Sequence, residues 1–256
     1  MALLDRFRLT GRAAVVTGGA SGIGESFAFA LAEAGSNVAV ADRNGGRARH
    51  VAERLEALGV ESMSLEVDVT SQEQVQSMVA EIADRWGRVD IGVNNAGIAL
   101  KAKAEDMTEA DWDATIAVDL KGVFLCTQAE GRLMLDQGAG SIINTASMSG
   151  RIVNRPQLHV AYNAAKAGVV QLTRNCAAEW GSRGVRVNCI SPGHTLTPMT
   201  ALNMDGSNGG IWKSNTPMGR LGLARDLQGG LVYLASDASS YVTGHNLTID
   251  GGYTLW

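Results

Sequence analysis

Within the stretch SMSGRIVNRPQLHVAYNAAKAG, residues 147–168, stand two serines, a tyrosine and a lysine whose spacing invites chemistry. Tyr162 and Lys166 are four positions apart, which on a helix places them on one face. A free tyrosine hydroxyl has a pKa of about 10, too high to exchange protons well at neutral pH. A lysine ammonium at ~4 Å, in an effective dielectric of ~20, attracts the phenolate by about 4 kcal/mol, and a fraction of that brings the phenol towards the working range. Ser147 or Ser149 would hold a substrate oxygen beside the phenol. Such a set moves a proton on and off an alcohol or carbonyl oxygen. The same Tyr–Lys spacing elsewhere forms surface pairs with a snorkelling lysine, so the surrounding elements have to decide.

Those elements alternate. Apolar runs at 13–18, 37–42, 63–69, from 89 onwards (VDIGVNNAG), at GSIINTAS, at VRVNCISPG and at NLTID read as strands. Helical patterns cover 24–33, 46–58, a segment capped by Thr70 or Ser71 that ends at Trp86, then 108–137, 162–183 and 224–235. Strands apolar on both faces need cover on both faces. The expected fold is therefore α/β: a single-domain, Rossmann-type, doubly wound parallel sheet with helices on both faces, spanning residues 1–256. One long irregular stretch runs from Pro192 to Gly222, and its 194–222 portion is expected to be a substrate lid.

The first strand runs into TGGASGIG. In that turn Gly18 permits the tight bend, Gly22 lets backbone approach a pyrophosphate, and Gly24 lets helix and strand pack closely. Ser21, Ile23 and the helix start supply N–H groups for the phosphates. Asp42 ends the second strand, where a carboxylate takes ribose hydroxyls and repels a 2′-phosphate. The turn from Gly18 to Gly24 holds no basic residue to offset it, so NAD is expected over NADP, although the adjacent Arg43 can stack on adenine or meet a phosphate. Asp68 and Val69, read as the end of the third strand, would border the adenine.

Over nearly the whole chain these residues resemble the short-chain dehydrogenase/reductase family. The matching pieces are TGGASGIG, Asn94-Asn95-Ala96-Gly97, Ser147, Tyr162-Asn-Ala-Ala-Lys166, Ser191-Pro192-Gly193 and the C-terminal DGGYT. The resemblance implies an NAD(P)-dependent oxidoreductase, assembled as a homotetramer through its fourth and fifth helices. It makes Tyr162 the acid/base, has Lys166 lower the tyrosine's pKa and bind ribose, and has Ser147 orient the substrate oxygen. It also places Asn95, Ala96 and Gly97 at the cofactor ribose, Pro192 and Gly193 at the nicotinamide, and Thr195 and Thr197 at its amide and the pyrophosphate. Asp119 departs from the family's asparagine: it can accept the same hydrogen bonds but not donate, and it would favour a charged Lys166. Ala161, Ala164, Ala165 and Gly168 are expected to leave room for the cofactor.

The segment SMSG-x-IVN-x-PQ, with TPMGRLG and GGYTLW, is similar to the sugar-alcohol (polyol) dehydrogenases of that family, the mannitol, arabinitol and galactitol enzymes among them. Ser149, Asn154, Gln157, His194 and Trp212 would then meet a polyol or ketose substrate. His159 and His194 have neither metal-ligand spacing nor a partnering carboxylate, and both read as polar rim, His194 at the mouth of the lid. Two other readings stay open: a carbonyl reductase of another substrate, such as a 3-oxoacyl thioester, and a nucleotide-binding scaffold without turnover.

Bulk properties narrow the field. A net charge of -4, with lysines and arginines scattered, offers no field for nucleic acid or an anionic membrane. The N-terminus MALLDRFRLTGR does not read as a signal peptide, and no window approaches a membrane span. Cys126, Cys176 and Cys189 have no CxxC spacing and read as free core thiols of a cytoplasmic protein, with no metal site expected.

Overall fold

Ala13–Thr17, five consecutive buried residues, form β1. In the computed structural model this strand pairs on one side with β2 (Asn37–Asp42), which in turn pairs with β3 (Ser62–Glu66). On its other side lies β4 (Ile91–Asn94), followed outward by β5 (Gly140–Thr145) and β6 (Val185–Pro192). Two short segments, β7 (Thr195–Leu196) and β8 (Gly222–Leu223), pair separately in parallel. The last strand, β9 (Asn246–Ile249), joins β6. The main sheet thus has the order β3-β2-β1-β4-β5-β6-β9 with every pair parallel. The structure describes residues 2–157, 159–201 and 208–256.

The helices are α1 (Gly22–Glu33), α2 (Gly45–Glu56), α3 (Gln72–Trp86), α4 (Glu109–Ile116), α5 (Val123–Gln137), α6 (Val160–Trp180), α7 (Pro198–Ala201), α8 (Asn208–Ser214) and α9 (Gln228–Ala235). Side chains alternate across the sheet, so β1 feeds two cores. Ala14 and Val16 pack with Phe27 and Leu31 of α1, Val51 and Leu55 of α2, and Leu231 and Leu234 of α9. Val15 packs on the opposite face with Met78 and Ile82 of α3, Met134 of α5 and Cys176 of α6. Each fully buried Val, Leu or Ile contributes about 1.5–3 kcal/mol of transfer free energy, which makes both layers necessary.

The expected architecture is present, and its ends differ in informative ways. The third strand stops at Glu66, not Val69. Asp68 instead turns the chain: its carboxylate accepts from Thr70 N (2.9 Å) and Thr70 Oγ1 (2.7 Å). Ser71, not Thr70, caps α3, accepting from Gln74 N at 3.3 Å. The helix expected over 108–137 is interrupted by a π-helical turn, Ala117–Gly122. Of the four small residues expected to leave room for the cofactor, Ala161 and Ala165 are fully buried and Gly168 lies against Leu120, so these three pack within the protein, while Ala164 is exposed. The 194–222 stretch holds β7, α7 and α8; residues 202–207 of it lie outside the described residues.

Candidate active site

Thr17, Asn94 and Asn144 lie in register across β1, β4 and β5, so the C-terminal ends of these strands open onto one crevice. In such sheets ligands bind where the strand order reverses, here between β1 and β4. Gly18 (φ +62°) and Gly22 (φ +57°) bend the chain above that point through a conformation side-chain-bearing residues rarely adopt. At Gly24 a Cβ would fall on the Gly18 carbonyl oxygen, so the turn closes on α1 only with glycine. Ser21 begins α1 without a side-chain cap bond, and Thr197 stands opposite, 3.5 Å from where a Gly22 Cβ would lie. A free helix N-terminus beside a backbone cradle and a threonine fits a diphosphate.

Asp42 ends β2 beside this turn. Its Oδ2 accepts from Ala20 N (3.2 Å) and its Oδ1 from Asn44 N (2.9 Å), leaving acceptor capacity for ribose hydroxyls. Arg43 is exposed and near enough to Asp68 to help, behind the Thr70 bonds, in holding that carboxyl below its usual range. Asn95 ties the cradle together: Nδ2 donates to the Thr17 and Gly18 carbonyls (3.3 Å each), while its backbone N–H and that of Ala96 donate to Thr17 Oγ1. Gly193 lies against Asp250, directly after Pro192, and Thr195 turns inward to donate to the Gly193 carbonyl (3.1 Å).

The catalytic candidates meet a strand away. Lys166 Nζ donates to the Thr145 carbonyl (3.0 Å), sits 3.1 Å from Asp119 Oδ1 and lies 5.5 Å from the centre of the Tyr162 ring. Asp119 is carried inward by the π-helical turn, where its Oδ2 accepts from Ile98 N at 2.9 Å. A Cβ on Gly97 would come within 2.7 Å of Asp119 Oδ1, so this approach also demands glycine. Ser147 Oγ accepts from Ser149 N (3.1 Å) and is the serine near enough to the Tyr162 hydroxyl to favour its charged form, which sets Ser147 ahead of Ser149 as the phenol's partner.

The electrostatics correct one expectation. Burial pushes the Tyr162 phenol above its ordinary value. Lys166 and nearby Ser147 pull it down, but Asp119 adds to the rise and the net direction is up, not down. Burial disfavours the Lys166 ammonium, yet Asp119 and Tyr162 outweigh that and hold its pKa above the ordinary lysine value.

Ser149 Oγ donates to Asn154 Oδ1 (3.0 Å), and Asn154 Nδ2 donates to Gln157 Oε1 (2.7 Å), a polar strip continuing from Ser147 that is buried at Ser149 and Asn154 and half-buried at Gln157. His159 and His194 are not rim residues: they are 9% and 8% exposed. His194 stacks on Trp212 at 4.4 Å and meets the edge of Tyr253 at 4.9 Å. Burial depresses both imidazoles to about 4, with Lys101 adding to the effect on His159 and His159 to that on His194. Sequence reasoning also missed the Thr145 carbonyl and a buried cluster on the α5 side of the sheet. There Asn94 Nδ2 faces Thr127 Oγ1, Glu130 Oε2 and Asn144 Oδ1 at 3.0–3.2 Å. Backbone acceptors leave no mark in sequence, but Glu130 inside an apolar helix pattern was a visible signal. Among the described residues no group of His, Cys, Asp or Glu is arranged to hold a metal, and no helix is long and apolar enough to cross a membrane.

A cradle for a diphosphate with a phenol and a buried ammonium one strand away, all within a single Rossmann-type domain, defines an oxidoreductase that works with a dinucleotide. The chain belongs to the short-chain dehydrogenase/reductase family: the family model that matches residues 18–254 is described as enoyl-(acyl carrier protein) reductase. It is 43% identical over 249 residues to a D-threitol dehydrogenase of Mycolicibacterium smegmatis, covering 97% of this chain and 95% of that one. It is 40% identical over 256 residues to an NADP-dependent mannitol dehydrogenase of Hypocrea jecorina, covering 98% and 96%. The crystal structure of a short-chain type dehydrogenase/reductase from Mycobacterium marinum superimposes with a TM-score of 0.96 at 41% identity, over 99% of both chains.

Proposed function

We propose that this protein is a polyol dehydrogenase that interconverts a secondary hydroxyl of a sugar alcohol and the corresponding ketose, with NAD as its cofactor. The observation that carries the reaction type is the half-buried Tyr162 set among buried Ser147, Lys166 and Asp119 beside the glycine cradle. The polyol class is supported by the relatives named for threitol and mannitol, and by the Ser149–Asn154–Gln157 strip next to Ser147. NAD is favoured by the Asp42 carboxylate at the end of β2, which opposes a 2′-phosphate. The Hypocrea jecorina relative, named as NADP-dependent, makes this preference one for experiment.

A nicotinamide bound in the crevice supplies or accepts the hydride. The chain's own residues handle the proton and the geometry. Tyr162 takes the hydroxyl proton during oxidation and returns it during reduction; Ser147 holds the oxygen within reach of the phenol. Lys166 stabilises the phenolate, and Asp119 with the Thr145 carbonyl fixes the ammonium in place. Because burial keeps the phenol protonated at neutral pH, ketose reduction starts from the competent state there, whereas oxidation gains as pH rises. The family's homotetramer and a cytoplasmic location complete the reading.

The test is NADH and NADPH formation on a panel of sugar alcohols, with a 3-hydroxyacyl thioester alongside. Strong NAD-linked turnover on one or two polyols supports the proposal. Activity on the thioester with none on polyols replaces it by an acyl reductase, and no turnover on either leaves a nucleotide-binding scaffold.

A further inference from the structure

We propose that His159, His194 and Trp212 form a second recognition element that reads the hydroxyls of the substrate chain beyond the reacting carbon. This inference rests on the polyol reading and deepens it. Among the described residues, the buried side-chain nitrogens without a hydrogen-bond partner are His159 Nε2, His194 Nε2 and Trp212 Nε1. Three such atoms in one neighbourhood are unusual, because a buried polar group without a partner costs stability.

They come from three separate elements. His159 precedes α6 and sets its ring edge against Tyr162, centroids 5.8 Å apart. His194 follows β6 and stacks on Trp212 of α8, while Tyr253 from the C-terminal turn holds its other side. The two imidazoles are near enough to sense one another's charge, so His159 stands between the stacked His194–Trp212 pair and the ring of Tyr162.

The chemistry of these atoms selects the ligand. Trp Nε1 only donates, and a neutral imidazole Nε2 donates or accepts according to its tautomer. A hydroxyl does both and satisfies all three positions. A carboxylate only accepts and meets all three only where both imidazoles carry the proton on Nε2, and an acyl chain would leave the three nitrogens as they are. A ligand bearing successive hydroxyls therefore completes this surface.

Phenylalanine at each position keeps the ring and removes the nitrogens, so His159→Phe, His194→Phe and Trp212→Phe separate recognition from packing. Each would be assayed on a pentitol or hexitol and on its analogue deoxygenated at the end remote from the reacting carbon. The wild type is expected to prefer the full polyol by about 100-fold or more in kcat/KM. Each variant is expected to lose about tenfold of that preference, chiefly in KM. Equal slowing on both substrates, or an undiminished preference in all three variants, overturns this inference while polyol activity stands. Absence of wild-type activity on any polyol overturns the function and this inference together. A measurement on the wild type alone guards against variants that do not fold. With NADH present, the ketose should raise Tm more than its remotely deoxygenated analogue, and equal shifts would count against the element.

Discussion

Lys166 Nζ and Asp119 Oδ1 stand 3.1 Å apart with both side chains buried, so the cation beside the Tyr162 phenol is itself answered by an anion. At the phenol the two charges act in opposite directions, and burial tips the balance upward. Asp119→Asn removes the anion and keeps the shape. The low-pH limb of the kcat/KM profile for alcohol oxidation is expected to move to lower pH, because the phenolate then forms more readily. A limb that stays in place would show that Tyr162 does not sense Asp119. Asp119→Ala leaves the buried ammonium without its partner and should cost about 3–5 kcal/mol in a denaturant titration.

Tyr162→Phe keeps the ring beside His159 and Lys166 but removes the hydroxyl that exchanges the proton in the proposed reaction. Turnover should fall by about 10²–10⁴-fold or more. Quenching of NADH fluorescence should still report binding, since the glycine cradle and Asp42 are untouched. Turnover near the wild-type rate would remove the phenol from the mechanism.

Asp42 carries the cofactor preference in this reading. Asp42→Ala removes the carboxylate that would face a 2′-phosphate and leaves exposed Arg43 free to meet it. The ratio of kcat/KM for NAD over NADP should fall by about tenfold or more, the size expected from losing one charged contact. A ratio that does not move would assign the preference to another residue.

Glu130 is fully buried, and burial raises its carboxyl to about 8, against a partial opposing effect of the Asn94 bond. An unfolded chain releases this proton near pH 4.5 while the folded protein keeps it to about pH 8, so stability falls as pH rises through that window. The slope is about 1.4 kcal/mol per pH unit. Glu130→Gln has no proton to lose; its Tm should exceed that of the wild type increasingly from pH 5 to about 8 and then hold a constant lead. Parallel Tm curves would place the carboxyl in contact with water.

Much of this molecule was legible in its residues. Apolar runs covered on both faces force a parallel sheet between helices, and a glycine turn after the first strand marks where its ligand approaches. Ser147, Tyr162 and Lys166 were readable because strand end and helix spacing bring them together locally, and the structure joins them. Strand and helix ends were less legible. At residues 66–71 the Asp68 turn ends β3 earlier than its apolar pattern, because a side chain that bonds nearby backbone competes with the ladder.

The sequence alone determined which groups exist, their local spacing and the period of each element, and from these the fold class and the candidate trio. Their environment was decided only by the tertiary structure. His159 and His194 read as polar rim because nothing within a few residues covers them; Trp212 and Tyr253, 18 or more positions from His194, close over its ring. The direction of the Tyr162 shift belongs to the same category. Spacing records that a lysine lies one helical turn away, but desolvation and the Asp119 charge come from residues distant in the chain, and only packing sums them at one oxygen.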